Sequence, residues 1–393
     1  MKKKLPKRGV IAFFLAGVIC LSVLITAGLK KYVLPFSAVD YATLSRLSEI
    51  EALMEEDYYY EVDEKALSDA ITDGFVEGIG DPYSSYYPKE SASAEADRLA
   101  GDSFGIGIVV INTTEGIYVW RVYEESPAEK AGIKKGDIIT HVNGRDVLEL
   151  GYEKSIENIS GESGKKNLLK IDRNGEELEI EVKCGACDIQ SVFAYLSENK
   201  RFGRIEVLSF NNKTHLQFKA ALDYFQKSDI KGVVIDLRHN RGGTINSCIS
   251  MLDYLLPETT SVYAKYKDGK LISIGESDEE HYDMSLAVLV DGTSASAAEI
   301  FACSLKEHNR AVLIGEKTYG KSVIQRSYDL SDGSRVKFTV GEYLPSSGES
   351  FNGVGIEPDI KVQPDYTESQ FYFLIEKTDN VLKEAYKYLD QLS

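Results

Sequence analysis

The stretch that decides the fold is Ser285-Leu-Ala-Val-Leu-Val-Asp-Gly-Thr-Ser-Ala-Ser-Ala-Ala-Glu-Ile300. Its apolar start, bounded by Asp291-Gly292, predicts a buried parallel strand. Small residues then surround Ser296, and the residues from Glu299 to Leu305 continue with the apolar spacing of an amphipathic helix. A strand and a helix joined by a tight turn are typical of an α/β sheet with parallel strands.

The position of Ser296 suggests chemistry. It would lie at or near the N-terminus of the helix, where free backbone N–H groups and the helix dipole stabilise a developing oxyanion. A serine hydroxyl is a weak nucleophile until an adjacent base takes its proton. Lys321 can be that base if burial lowers its pKa, and Gln325, four residues further on, shares a face with it and could orient the amine. Taken singly, a small-residue turn and a surface lysine are the alternative interpretations.

Three segments occurring together resemble the signatures of the C-terminal processing peptidases, also called tail-specific proteases. The segments are Asp236-Leu-Arg-His-Asn-Arg-Gly-Gly243, Gly292-Thr-Ser-Ala-Ser-Ala-Ala-Glu299 and Thr318-Tyr-Gly-Lys-Ser-Val-Ile-Gln325. That family uses a Ser/Lys dyad. The resemblance implies that Ser296, and not Ser294, is the nucleophile, that Lys321 is the base and that Gln325 is the supporting amide. The separation of 25 residues between Ser296 and Lys321 agrees with the family.

From about residue 190 the pattern is α/β, with a helix expected over 216–225 and strands over 233–237, 285–290 and 311–314. Sites in such sheets gather at the carboxyl ends of the strands. Gly242 and Gly243 follow one such end and could bring a backbone N–H to the scissile carbonyl, joining that of Ala297 as an oxyanion hole. The alternative for these glycines is a tight strand-to-helix turn capped by Asn240, and both can hold.

Residues 104–182 change to short strands and glycine turns. The segments Ser126-Pro-Ala-Glu-Lys-Ala-Gly132 and Gly136-Asp-Ile-Ile139, followed by Val142-Asn-Gly144, resemble a PDZ domain. Such a domain binds a peptide as an added strand and captures its terminal carboxylate in a glycine loop. The resemblance assigns that loop to Gly105, Ile106, Gly107 and Ile108. A plain β-hairpin edge is the alternative for these four residues.

The N-terminus predicts a membrane anchor. Residues 9–29 are 21 residues without a charge, enough to span a bilayer as a helix. Five basic residues precede them and only two follow. The positive-inside rule then places the N-terminus in the cytoplasm and everything after residue 31 outside, as a single-pass protein of the cell membrane. A cleaved signal peptide is the alternative.

Composition excludes several functions. The first 31 residues hold seven of the 45 Lys and Arg residues, so the remainder carries 38 basic against 62 acidic residues, a net of −24. That charge argues against nucleic-acid binding. The five histidines lack zinc-protease spacing, and no dinucleotide or P-loop motif occurs, so we expect no metal and no cofactor. The C-x-x-C of Cys184 and Cys187 indicates a local disulfide or two free thiols.

The domain organisation follows from these patterns. Residues 1–31 form a basic stub and transmembrane anchor, 32–99 a helical segment, 100–185 a PDZ domain, 186–365 an α/β peptidase core and 366–393 a helical tail. In the related family the segment corresponding to 32–99 packs beside the core or mediates dimer contacts, so a homodimer through it is one interpretation. A plain helical spacer is the other.

The sequence therefore predicts an α/β protease core with a mixed or parallel sheet, preceded by an anchor, helices and a β-rich PDZ domain. The expected function is that of a membrane-anchored serine endopeptidase. Its PDZ domain would recognise protein substrates by a free, apolar C-terminus. The alternatives are a catalytically silent PDZ scaffold and a hydrolase acting on a small amide.

Overall fold

The structure is a computed structural model that describes residues 39–161 and 163–392. The expected anchor over residues 9–29 lies outside the described residues. Within the described ranges, no helix is long and apolar enough to cross a membrane. The chain divides into two compact units with the boundary after Ile71.

The first unit is helical. Helix α1 covers Tyr41–Asp57 and begins at Asp40, whose side chain accepts a hydrogen bond from the Thr43 N–H at 2.8 Å. Helix α2, Glu64–Glu77, crosses the boundary between the units. Helix α1 buries none of its residues, and its apolar side chains at Leu44, Leu47, Ile50 and Leu53 are exposed.

The residues after α2 depart from the all-helical expectation. Strand β1, Ser85–Tyr87, comes before helix α3, Lys89–Ala100. The strand is short, lies between Pro82 and Pro88, and contains two tyrosines, which favour extended structure. Its hydrogen-bonding partner lies some 250 residues later in the chain, as described below, so no local pattern signals it.

The PDZ domain contains the elements β2 (Asp102–Gly105), β3 (Ile108–Asn112), β4 (Ile117–Val122), α4 (Pro127–Ala131), β5 (Ile138–Val142), β6 (Arg145–Asp146), α5 (Val147–Leu150), α6 (Tyr152–Ile159), β7 (Lys166–Arg173), β8 (Glu176–Lys183) and β9 (Gly185–Asp188). The main sheet has the order β3-β4-β5-β7-β8, with β6 beside β5. Strands β2 and β9 form a separate ribbon. Strand β3 is therefore an edge strand.

The segment expected to form the α/β core, residues 186–365, contains the following elements: β10 (Val192–Leu196), β11 (Phe202–Val207), α7 (Thr214–Gln226), β12 (Gly232–Asp236), α8 (Ile245–Asp253), β13 (Thr259–Tyr266), β14 (Leu271–Ser277), β15 (Leu286–Val290), α9 (Ala297–Glu307), β16 (Val312–Gly315), β17 (Val323–Asp329), β18 (Arg335–Pro345) and β19 (Ile360–Lys361). The order of the main sheet is β10-β11-β12-β15-β16-β19. Among the described residues, the β10–β11 pair is antiparallel and the other pairs of this sheet are parallel. The sheet is therefore mixed, which is one of the two forms that the sequence predicted.

A second, antiparallel sheet was not anticipated by the sequence. Its long strand β18 pairs with β17 and also with β1 and β13, while β14 pairs with β13. The register places Ser85 opposite Lys337. Because β18 pairs with β1 on one side and with β17 on the other, the residues just before β1 come within reach of the Gln325 side chain of β17.

The tail forms helices α10 (Glu368–Phe371) and α11 (Asn380–Gln391). Helix α11 buries Val381, Leu382, Ala385 and Leu389 in an apolar cluster on one face of the main sheet. A larger cluster fills the other face with side chains from α7, α8 and α9. The main sheet is therefore covered on both faces, which explains its continuous apolar strands.

Candidate active site

Ser296 immediately precedes α9 and adopts φ 59° and ψ −121°. A positive φ is uncommon for a residue with a Cβ and costs about 1–3 kcal/mol. The side chain is partly exposed. Ser294, in contrast, is fully buried, and its hydroxyl donates to the carbonyl of Leu237 at 2.9 Å. The structure therefore leaves the hydroxyl of Ser296, and not that of Ser294, accessible.

Glu299 connects the two segments that carry the expected dyad. Its carboxylate is fully buried, and Oε2 accepts the backbone N–H of Ser296 at 2.9 Å and that of Lys321 at 2.8 Å. Oε1 accepts the Gly320 N–H at 2.7 Å and the Thr318 hydroxyl at 2.6 Å. The sequence analysis gave Glu299 no role beyond the helix. The Ser-x-x-Glu spacing, which is typical of a helix capping box, was the available signal.

Lys321 lies in a partly buried environment beside Gln325. Its amine donates to Gln325 Oε1 at 3.0 Å and lies 4.8 Å from the centre of the Tyr83 ring. Burial, and after it the charge of Lys337, lowers the pKa of Lys321, while Asp81 and Glu299 oppose that shift. Among the described residues, no hydrogen bond joins the side chains of Ser296 and Lys321.

Gln325 is fixed at both ends of its amide. Its Nε2 donates to the backbone carbonyl of Tyr83, so its Oε1 is turned toward the Lys321 amine. Residue spacing predicted that Gln325 shares a face with Lys321, and the two side chains are hydrogen-bonded. It did not predict the contact with Tyr83, which lies 242 residues earlier in the chain.

The loop that carries Gly242 and Gly243 lies against Ser296. A Cβ on Gly242, whose φ is +90°, would lie 2.8 Å from the Ser296 Cβ and 2.9 Å from the Ala297 nitrogen. A Cβ on Gly243, whose φ is +145°, would lie 1.8 Å from the carbonyl oxygen of Phe210. Glycine is therefore required at both positions, because any side chain would collide with backbone or with Ser296.

The N–H groups of this loop differ in their availability. The Gly242 N–H donates to Asn240 Oδ1 at 2.8 Å, as the turn interpretation expects. The backbone N–H groups of Gly243 and Ala297 have no hydrogen-bond acceptor among the described residues. These two groups can therefore donate to a developing oxyanion, whereas Gly242 contributes close approach.

Arg238 holds the loop of residues 236–243 in place. Its guanidinium forms paired hydrogen bonds with Asp236, at 2.9 and 2.7 Å, and with Asp379 of the tail, at 2.9 and 2.7 Å. Burial opposes ionisation of Asp236, but the charges of Arg238 and Arg204 outweigh it and hold its pKa well below the usual range. The loop is thus tied to the sheet and to the tail by buried ion pairs.

His239 does not form a triad with Ser296. Its ring lies 4.1 Å from the Phe371 ring, and its nitrogens lie 3.4 Å from Asp291 and 3.4 Å from the Thr293 hydroxyl. None of its described hydrogen bonds reaches Ser296. The histidine packs between the loop and the tail.

The backbone of the loop Gly105–Ile108 is fixed by hydrogen bonds that its carbonyl groups accept. The carbonyls of Ile106 and Gly107 accept the N–H groups of Ala128 at 2.8 Å and Tyr123 at 3.0 Å. Because a trans peptide points its C=O and its next N–H in opposite directions, the N–H groups of Gly107 and Ile108 face away from these partners. Ile106 is buried in the PDZ core, and Ile108 packs against it.

Neither a metal-ligand cluster nor a disulfide occurs in the part of the chain that the structure describes. No group of three or more His, Cys, Asp or Glu side chains there could hold a metal ion. Cys184, Cys187, Cys248 and Cys303 are free thiols, so the local-disulfide interpretation of the C-x-x-C is not realised. The buried Cys184 thiol instead donates to the Ile159 carbonyl at 3.3 Å.

The chain is similar in sequence to known peptidases and to PDZ domains. A profile of peptidase family S41 matches residues 201–362, and a PDZ profile matches residues 105–184. A "Probable CtpA-like serine protease" of Staphylococcus aureus (strain MSSA476) is 31% identical over 366 residues, which is 91% of this chain and 73% of the relative. A protein of the same description from Staphylococcus saprophyticus is 29% identical, covering 87% and 70%.

A similar fold occurs among solved structures. A Bacteroides fragilis NCTC 9343 protein assigned to the S41 proteases superposes with a TM-score of 0.57. The superposition covers 86% of this chain and 92% of that chain, at 16% sequence identity. At that identity the likeness concerns the fold alone.

Proposed function

The chain belongs to peptidase family S41 and is a serine-type peptidase, and from that premise we propose that it cleaves proteins through an acyl-enzyme on Ser296, with Lys321 as the base. The observation that carries the proposal is the buried carboxylate of Glu299, which binds the backbones of both residues. The resemblance to the C-terminal processing peptidases inferred from the three motifs is confirmed at the level of the family.

In the proposed reaction, neutral Lys321 accepts the proton of the Ser296 hydroxyl as its oxygen attacks the scissile carbonyl. The N–H groups of Gly243 and Ala297 donate to the oxyanion. The lysine then protonates the leaving amine, and later takes a proton from the water that hydrolyses the acyl-enzyme. No hydrogen bond joins the two side chains in the structure, so the amine must move from Gln325 toward Ser296.

We propose that substrates are recognised through a free, apolar C-terminus. Strand β3 is the edge of its sheet, so a peptide can add beside it. Its carboxylate would accept from the N–H groups of Gly107 and Ile108, and its last side chain would lie among the apolar residues near α6. Ile108, Val110 and Ile156 supply that surface.

We also propose that the enzyme is anchored in the cell membrane by residues 9–29 and acts outside the cytoplasm. The support is the uncharged length of that segment and the excess of basic residues before it.

A homodimer through the helical segment is a further proposal. The exposed apolar side chains of α1 at Leu44, Leu47, Ile50 and Leu53 support it, and a measured solution mass of one chain would count against it.

The alternative of a silent PDZ scaffold has a specific weakness. A scaffold has no need for a serine held at φ 59° or for a lysine whose pKa is lowered by burial. Nor does it need two N–H groups beside that serine that find no acceptor among the described residues. Strain of this kind persists where it serves function. These features favour an active peptidase.

The test uses the full-length protein in detergent micelles with an unfolded protein as substrate. Rapid acid quenching followed by mass spectrometry should show a peptide attached to Ser296, and products should accumulate. The Ser296→Ala variant should bind the same substrate without forming either species. Binding without cleavage by the unaltered chain would support the scaffold instead.

A further inference from the structure

A short N-terminal turn contributes directly to the environment of the base. The turn Asp81-Pro-Tyr-Ser84 lies before both profile matches, at 105–184 and 201–362. Nevertheless Tyr83 contacts Lys321 with its ring and binds Gln325 with its carbonyl. The ring contact is separable from the carbonyl contact, because only the first depends on the side chain.

Hydrogen bonds within the turn and to strand β18 fix the position of the turn. Asp81 accepts the Tyr83 N–H at 3.1 Å and the Ser84 hydroxyl at 2.6 Å. The Ser84 hydroxyl in turn accepts the N–H of Thr339 on β18 at 3.4 Å. The adjacent strand β1 continues the attachment through its pairing with β18. The position of the Tyr83 ring is therefore set by the second sheet.

We propose that Tyr83 is a positioning residue for the base, whose ring holds the protonated amine of Lys321 beside Gln325 in the resting enzyme. An aromatic face attracts a cation but has no such attraction for a neutral amine. Loss of the proton would therefore release the amine toward Ser296. The ring would then determine the pH at which Lys321 becomes available as a base, and this inference rests on the proposed role of Lys321.

Several charged groups surround Lys321, and each changes the pKa of its amine. Lys337 on β18 repels the charged form, while Asp81 of the turn and Glu299 of α9 attract it. Tyr319 interacts with the Tyr83 hydroxyl. The ring of Tyr83 adds an attraction for the charged form, so it raises the pKa of Lys321 against the lowering that burial causes. Removing the ring should lower that pKa further.

The chain contains a control on the adjacent strand β1. Tyr87 also contacts a lysine, Lys337, but its hydroxyl accepts a hydrogen bond from the Lys337 amine, which lies 4.9 Å from the ring centre. Lys337 is not the base. Removing the Tyr87 ring therefore perturbs β1 in a similar way without taking an attractive ring from Lys321.

The experiment compares Tyr83→Leu, Tyr83→Phe and Tyr87→Leu in the full-length protein. The first readout is kcat/KM for an unfolded protein as a function of pH. Tyr83→Leu should move the acidic limb to lower pH by about half a unit, as expected for losing one cation–π contact. Tyr83→Phe should keep the limb in place, and Tyr87→Leu should not move it downward.

A second readout does not depend on activity. In the Ser296→Ala background, the pH dependence of Lys321 modification by an amine-reactive reagent, measured by mass spectrometry, reports the same pKa. The proposal would be overturned if the modification profile of Lys321 is the same in all variants. It would also be overturned if Tyr83→Leu lowers kcat/KM equally at every pH and leaves the acidic limb in place. Should Tyr83→Leu fail to fold, Tyr83→Met serves instead. If Tyr83→Leu shifts the modification profile but the protein with Ser296 intact cleaves no substrate, the contact between Tyr83 and Lys321 stands and the peptidase mechanism is rejected.

Discussion

The buried carboxylate of Glu299 accepts a hydrogen bond from the backbone N–H of Lys321, 22 residues further along the chain, at 2.8 Å. The same oxygen accepts the N–H of Ser296. The Glu299 side chain therefore fixes the distance between the backbones of the proposed nucleophile and base, independently of any contact between their side chains. This arrangement makes Glu299 a positioning residue, since its atoms touch backbones and not substrate.

Replacing Glu299 by glutamine should impair both stability and catalysis. The amide keeps one acceptor oxygen, but its NH2 group faces N–H donors that the carboxylate had satisfied. Each buried donor left without a partner costs about 1–3 kcal/mol. We expect a fall of that order in the free energy of unfolding, measured with urea, and a decrease of kcat of at least tenfold. Unchanged values of both would show that the carboxylate does not hold the site.

Ser296→Ala should abolish cleavage and leave the melting temperature close to that of the unaltered protein. Ser294→Ala should behave in the opposite way. It removes a buried hydroxyl bonded to Leu237 and should cost about 1 kcal/mol of stability while cleavage continues. Product formation and thermal unfolding of the two variants measure this contrast. If the Ser294 variant is inactive and the Ser296 variant is active, the nucleophile has been assigned wrongly.

Activity should depend on a neutral Lys321. Burial, and after it Lys337, lowers the pKa of this lysine, so its neutral form becomes available below the ordinary lysine range. We expect kcat/KM to rise as the pH rises through that lowered pKa and to be lost as the pH falls below it. Lys321→Arg keeps the charge but cannot deprotonate, and it should be as inactive as Lys321→Ala. Substantial activity of the arginine variant would rule out the dyad.

The PDZ loop offers two glycines with contrasting expectations. Gly107 has φ +79°, and an added Cβ would lie 2.4 Å from the Cβ of Ser126, whereas a Cβ on Gly105 would meet no atom within 4 Å. Gly107→Ala should therefore disrupt the loop and weaken binding of a peptide with a free C-terminus, measured by fluorescence anisotropy. Gly105→Ala should bind normally. Amidating the peptide should mimic the Gly107 variant, and equal affinity of the acid and the amide would contradict the carboxylate site.

The proposed topology can be tested on intact cells. The linker between α1 and α2 is exposed, with Tyr59 at 90% relative accessibility. A protease added from outside should cut there before lysis if residues after 31 lie outside the cytoplasm. A cytoplasmic reporter protein in the same cells should remain intact. Protection of the linker until the cells are lysed would reverse the topology.

The sequence by itself determined the features that depend on neighbouring residues. Apolar runs near 233–237 and 285–290 became strands β12 and β15, because a buried strand needs only a short apolar segment between turn residues. Ser296, Lys321 and Gln325 could be singled out by residue type and spacing. The PDZ strands could be predicted for the same reason, because their glycine turns and alternating apolar residues are local features of the sequence.

Only the tertiary structure decided which distant groups meet. The contact between Gln325 and Tyr83 joins residues 242 apart, and it depends on the pairing of β1 with β18. A three-residue strand carries too little pattern to predict its partner, because register is set by packing of both sheets. The same applies to the loop that carries Gly242 and Gly243, where Asn240 accepts the Gly242 N–H and that of Gly243 has no acceptor among the described residues. Hydrogen-bond donors are distributed by three-dimensional geometry, and sequence spacing alone does not fix which of them stays available.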